Sequence, residues 1–151
     1  GHCIAVDPWF IASEFPEMTQ LIQTARKVNL EKTSWVISQI TQSAEMLASQ
    51  LGRKPIVALF GLAYKPNVAD LRESPAVEIA NALHHSTHSV MCVEPHAESL
   101  DELTLSSVEE ACQTADLCVM LVKHHQFIAL EEKLQPYQIK LDFCGLLQMS
   151  H

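Results

Sequence analysis

Residues 55–61, Pro-Ile-Val-Ala-Leu-Phe-Gly, decide the fold. Five consecutive apolar residues follow a proline and stop at a glycine. Strands exposed on one face alternate apolar and polar residues; an unbroken run of this length belongs to a parallel strand buried on both faces. An unbroken run recurs at Leu117–Val122, and Ser89–Val93 and Gln138–Phe143 also read as strands. Helical spacing lies between these runs. Ser74 and Pro75 form an N-cap and a favoured first helical residue, and Val77, Ile79, Ala80 and Leu83 carry that helix to about His84. Ser106–Thr114 and Gln126–Leu134 also read as helices. Alternating strands and helices predict an α/β unit with a parallel sheet, Rossmann-like, over residues 52–151.

Upstream the pattern is different. Residues 1–15 read as an irregular or extended entry with a turn at Asp7-Pro8, and Pro16-Glu17 reads as a helix start. Apolar residues then recur every three or four positions, through Leu21, Ala25 and Val28 and again through Val36, Ile40, Ala44 and Leu47, until Gly52 stops the pattern. Residues 16–51 are therefore expected to be helical, as two helices meeting near Asn29 or as one long bent helix. A long amphipathic helix ahead of a compact domain needs a partner for its apolar stripe. That partner is another domain or a second copy of the chain, and the second copy is the expectation, with Val36 and Ile40 in the contact.

The chain has 151 residues, 48% hydrophobic and 19% charged, which is globular composition. Ten Lys and Arg against 18 Asp and Glu leave a formal charge of -8, so nucleic-acid phosphates and anionic membrane surfaces are poor partners. No apolar run reaches the roughly 18 residues needed to span a membrane. The segment GHCIAVDPWF lacks the basic start of a signal peptide, and the missing initial Met suits a piece of a longer protein. Five cysteines without C-x-x-C spacing argue against a disulfide framework or a zinc site and fit a reducing cytoplasm. His84 and His88 are spaced like metal ligands, but a helix end followed by a strand start fits that interval better, so no metal is expected.

Two segments carry possible chemistry. The stretch GLAYKPNVADLRESP, residues 61–75, lies between the first strand of the α/β unit and its helix, where open sheets bind ligands. It holds Lys65 and Arg72 in an otherwise acidic chain. It reads equally as an anion site, most simply for phosphate, and as a surface loop whose cations pair with Asp70 and Glu73. It contains neither G-x-G-x-x-G nor a P-loop. In GHCIAVDPWF, Cys3 lies four residues before Asp7, a spacing compatible with a nucleophile and a water-orienting carboxylate, although a lone cysteine is far more often an inert thiol.

Together these segments resemble the UDP-sugar 6-dehydrogenases. GHCIAVDPWF is similar to that family's catalytic-cysteine segment, in the wording of its UDP-N-acetyl-D-mannosamine branch. GLAYKPNVADLRESP is similar to its UDP-binding signature, and Ala25-Arg26-Lys27-Val28-Asn29 resembles the start of its central dimerisation helix. The resemblance implies an NAD-dependent oxidation of a sugar C6 alcohol to a carboxylate through a thioester on Cys3, with Asp7 orienting the hydrolytic water. It implies Lys65 and Tyr64 on the substrate side, Arg72 towards the cofactor phosphates, UDP-N-acetylmannosamine or a related UDP-sugar as ligand, and a cytoplasmic homodimer. Residues 1–51 would then be the cysteine segment and dimerisation helix, and 52–151 the UDP-binding domain. The family's cofactor-binding half, with its G-x-G-x-x-G, has no counterpart in these residues. Three positions depart from the pattern: Leu30 where Asp is usual, Lys123 where the mannosamine branch tends to Asp, and Asp142-Phe143-Cys144 where a basic residue usually follows the aspartate within two positions. The alternative is a non-catalytic relic or module that only dimerises or weakly binds UDP-sugar.

Overall fold

The computed structural model describes residues 3–86, 88–100 and 103–147. Gly1 and His2 of the cysteine motif lie outside them. Two helices, α1 (Cys3–Glu14) and α2 (Gln20–Leu51), precede the α/β unit. That unit runs β1 (Ile56–Phe60), α3 (Pro75–His85), β2 (Ser89–Val93), α4 (Val108–Thr114), β3 (Leu117–Met120), a 3-10 turn at His125–Phe127, the one-turn α5 (Leu130–Lys133) and β4 (Ile139–Asp142).

The sheet is parallel throughout, in the order β2-β1-β3-β4. Its carboxyl ends are level, because Phe60 pairs with both Val93 and Met120 and Met120 pairs with Asp142. The apolar run of β1 is buried from Val57 to Phe60, as a strand covered on both faces requires. On one face, α2 and α3 contribute Val36, Ile40, Ala44, Leu47, Ile79 and Leu83 to a core with Val57 and Leu59. On the other, Ala111, Cys112, Phe127 and Leu130 pack on Ala58, Phe60 and Met120. The chain leaves β1 on one side towards β2 and returns on the other side to β3. Strand order thus reverses between β1 and β3, and in open α/β sheets the crevice outside such a reversal is where ligands bind.

The structure corrects four expectations. Residues 3–14 are helical although Pro8 lies within them. Turn propensity at Asp7-Pro8 is overridden because α1 folds back on α2 and buries Ala12. Helix α2 starts at Gln20, not Pro16. Residues 16–18 form the turn of this hairpin, held by Thr19 Oγ1 donating to Phe15 O (2.7 Å) and Gln23 Nε2 donating to Pro16 O (2.8 Å). From there α2 is one helix of 32 residues ending in left-handed Gly52. The expected helix over 126–134 is instead the 3-10 turn and α5.

The fourth correction concerns the stripe on α2. Val36 and Ile40, expected in a contact between copies, are 4% and 0% exposed and face the chain's own sheet. The two segments divided at 51/52 therefore share one core. Apolar side chains left in solvent are different ones: Phe10, Ile11 and Phe15 of the α1 side, and Leu21, Val28 and Leu30 of α2.

Candidate functional site

The loop after β1 leaves the sheet at Gly61, whose φ is +86°. A Cβ there would lie 2.5 Å from Val122 O and 2.7 Å from Val122 Cβ, so only glycine lets the loop pass the end of β3 this closely. Glu94, the first residue after β2, then takes hold of the loop. Its Oε2 accepts from Leu62 N (2.7 Å), Ala63 N (2.9 Å) and His124 Nε2 (3.0 Å), and its Oε1 accepts from His96 N (2.9 Å). The side chains of Glu94 and His124 are both fully buried. His124 Nδ1 accepts from Asn67 N (2.9 Å), so its proton resides on Nε2 and is donated to Glu94. Asn67, at φ +61°, returns a bond by accepting from His125 N at Oδ1 (2.8 Å). At the loop's far end Ser74 Oγ donates to Leu62 O (2.7 Å) and caps α3 by accepting from Ala76 N. Loop 61–75 is thereby tied to β2, to the β3 end and to α3.

Within this frame Tyr64 is half-buried and Lys65 exposed. Among the described residues Lys65 has no ion-pair partner. Arg72 behaves otherwise: its Nε and Nη2 each reach Asp70 at 2.9 Å, and this bidentate bond is the main cause that raises its pKa. Of the two pairings foreseen for the loop's cations, that of Arg72 with Asp70 is present. The Arg72 guanidinium also lies within electrostatic reach of Cys3, which brings the start of α1 close to the loop.

Cys3 and Asp7, both exposed, line an open groove of about 570 Å³ between α1 and α2 together with Ile22, Arg26 and Asn29. A second, smaller cleft of about 200 Å³ lies at the strand-order reversal, lined by Asn29, Lys32, Thr33, Ala63, Ser74 and Val122 among others. Asn29 belongs to both, so the cysteine groove adjoins the crevice at the carboxyl ends of the sheet. At the end of β4, Asp142 accepts from Cys144 N (3.0 Å) and Leu147 N (2.8 Å). Burial pushes its pKa up, but these backbone donors outweigh that and hold it below the usual carboxylate range. None of the five cysteines is in a disulfide; burial pushes Cys92 up to about 11 and Cys118 to about 12. Among the described residues no group of three His, Cys, Asp or Glu could hold a metal ion. Nor is any helix among them long and apolar enough to cross a membrane.

Three residues of this site belong to no motif in the sequence: Glu94, His124 and Lys32. An acidic residue directly after a strand, as in Glu94-Pro95, is a usable signal, because it falls where the loops converge. Nothing local marks His124 or Lys32.

Fold and site define a Rossmann-like parallel α/β unit preceded by a helical hairpin that carries a cysteine. Residues 58–148 match the UDP binding domain of the UDP-glucose/GDP-mannose dehydrogenase family. The chain is 49% identical over 137 residues to a UDP-N-acetyl-D-mannosamine dehydrogenase of Escherichia coli (strain K12), covering 84% of this chain and 32% of that protein. It is 40% identical over 151 residues to an NDP-N-acetyl-D-galactosaminuronic acid dehydrogenase of Ralstonia solanacearum, covering 97% and 34%. The solved structure of the UDP-N-acetyl-mannosamine dehydrogenase Cap5O from Staphylococcus aureus superposes with a TM-score of 0.78 at 32% identity, over 99% of this chain and 35% of that one. The chain belongs to the UDP-glucose/GDP-mannose dehydrogenase family, and it spans about a third of the length of the relatives it matches.

The buried pair makes the site's stability depend on pH. Burial, aided by neighbouring His96, lowers the His124 pKa from 6.5, and the opposing pull of Glu94 does not cancel it. Below pH 6.5 the unfolded histidine takes up a proton that the native one resists, so the unfolded state binds more protons. The resulting stability is complete above pH 6.5 and declines as pH falls through that value towards the native pKa. Urea midpoints measured from pH 8 to pH 5 should fall over this window, and His124→Gln should flatten the fall. A wild-type midpoint constant from pH 7.5 to 5 would contradict it.

Proposed function

We propose that the chain supplies the UDP-sugar-binding part of an NAD-dependent UDP-N-acetylmannosamine-type 6-dehydrogenase. The observation that carries this reading is the junction at Asn29, where the groove of Cys3 and Asp7 meets the crevice beside loop 61–75. A nucleotide sugar held by its diphosphate at the loop would extend its sugar towards the thiol. Tyr64 and Lys65 would contact the substrate. Cys3 would hold the C6 carbon as a thioester, and Asp7 would orient the water that releases the carboxylate. The names of the relatives support this substrate class.

The described residues do not by themselves fit a whole dinucleotide. The glycine at the end of β1 gives its close approach to Val122 instead of to a pyrophosphate, and two nitrogens of Arg72 are taken by Asp70. The remaining edge of Arg72 is our candidate for one contact with the cofactor's phosphates. The second reading is a module that binds UDP-sugar or dimerises without catalysis. Five free cysteines suit a reducing compartment such as the cytoplasm.

UDP binding is tested by titrating UDP-N-acetylglucosamine, with inorganic phosphate as control, while following the amide resonances of residues 61–75. We expect these to shift with a dissociation constant of order millimolar, about 4 kcal/mol. Lys65→Ala should weaken binding about tenfold, the loss of one charge-assisted contact. A silent loop at tens of millimolar ligand, or a Lys65→Ala variant that binds as wild type, would count against the reading.

Homodimerisation is proposed through the apolar side chains that the fold leaves exposed on the hairpin, Phe10, Ile11 and Phe15 of one arm with Leu21 and Val28 of the other. Sedimentation at micromolar concentration should give a dimer that Leu21→Glu with Val28→Glu converts to monomer. A wild-type monomer would refute it.

A further inference from the structure

Resting on the reading above, we propose that Lys32 of α2, together with Thr33, binds the ligand's diphosphate in the cleft at the strand-order reversal. Lys32 is the only ionisable residue lining that cleft. Its ammonium lies 3.7 Å from the centroid of the Trp35 ring, and it pairs with no carboxylate among the described residues. Trp35 in turn meets Phe143 edge-on, with ring centroids 5.8 Å apart. Phe143 directly follows Asp142, the aspartate after which a basic residue was expected. Lys32 thus stands on the same cleft wall as Phe143, with the Trp35 ring between them.

Thr33 stands next to Lys32 on the wall of the same cleft. It is only 6% exposed and lines the cleft, yet its hydroxyl has no hydrogen-bond partner among the described residues. The hydroxyl oxygen itself is not buried, so it stays open to the cleft and can donate to an acceptor there without breaking a bond inside the protein. The amino end of α3 borders the cleft but has little to offer: Pro75 lacks an N–H, the N–H of Ala76 goes to Ser74 Oγ, and that of Glu78 goes to Ser74 O. Of these first amides only that of Val77 is left, so most of the charge of a diphosphate arriving here falls to a side chain. A cation–π contact at an exposed ring is weaker than a charge-assisted hydrogen bond to phosphate, so Lys32 would leave the indole for the ligand.

This exchange gives the test its signal. In a Trp9→Phe background, Trp35 is the sole tryptophan, and UDP-N-acetylglucosamine, UDP and inorganic pyrophosphate are titrated against its fluorescence. Amide resonances of loop 61–75 report binding separately. Emission of Trp35 should change with saturation by all three ligands, with pyrophosphate weakest. Lys32→Met should weaken UDP binding about tenfold or more with thermal unfolding unchanged, Lys32→Arg should restore it to within about threefold, and Thr33→Val should cost a few-fold. A Lys32→Met variant that binds as wild type, or loop resonances that saturate while Trp35 emission stays constant, would overturn the assignment. If Lys65→Ala weakens binding and Lys32→Met does not, only the role of Lys32 falls. If wild-type chain binds no nucleotide, the UDP reading falls with it.

Discussion

One carboxylate organises the functional end of this molecule. Glu94 is the first residue after β2, fully buried, and its two oxygens accept four hydrogen bonds, two of them from the backbone of the loop that leaves β1. A buried carboxylate is tolerable only when its acceptor capacity is used. The four donors lie on three connections of the chain: two on loop 61–75, one in the turn at His96, and His124 beyond β3. Satisfying Glu94 therefore requires the three connections to converge. His124 extends the constraint, since its second ring nitrogen receives the N–H of Asn67 and so fixes the middle of the loop as well as its start. Removing either partner would leave a buried polar group unpaired, at a cost of several kcal/mol.

Convergence at that point shapes the crevice at the carboxyl ends of the sheet. The loop must squeeze past β3 at Gly61, the crevice between β1 and β3 stays open above it, and α2 closes one wall with Asn29, Lys32 and Thr33. Because α2 is anchored by Val36, Ile40, Ala44 and Leu47 in the same core as β1, this wall is as rigid as the sheet. The amino half of the same helix carries α1 and with it Cys3. A single 32-residue helix thus sets the position of the thiol relative to the nucleotide crevice.

The parallel sheet was legible because burial on both faces leaves a one-dimensional mark: unbroken apolar runs at 56–60 and 117–120, and the Ser74-Pro75 start of α3. The identity of loop 61–75 as the critical connection was legible from its cations and its place after β1. What holds that loop was not, since Glu94, His96 and His124 lie some 30 to 60 residues further along the chain and meet it only after the sheet forms. The α1 helix was missed because Asp7-Pro8 is a strong local turn signal that packing against α2 overrides. The role of the α2 stripe was misread for a related reason: periodicity reveals that a face is buried, not what buries it.

The account's central claim is that loop 61–75 is set in place by Glu94 and His124 before any ligand arrives, and that a nucleotide sugar binds against it at the β1–β3 crevice. A crystal structure of the chain with UDP-N-acetylglucosamine tests both halves at once. The diphosphate should lie in that crevice, with the bonds from Leu62 N, Ala63 N and His124 to Glu94 all retained. Nucleotide bound elsewhere on the surface, or a loop that has parted from Glu94 to receive it, would contradict the claim.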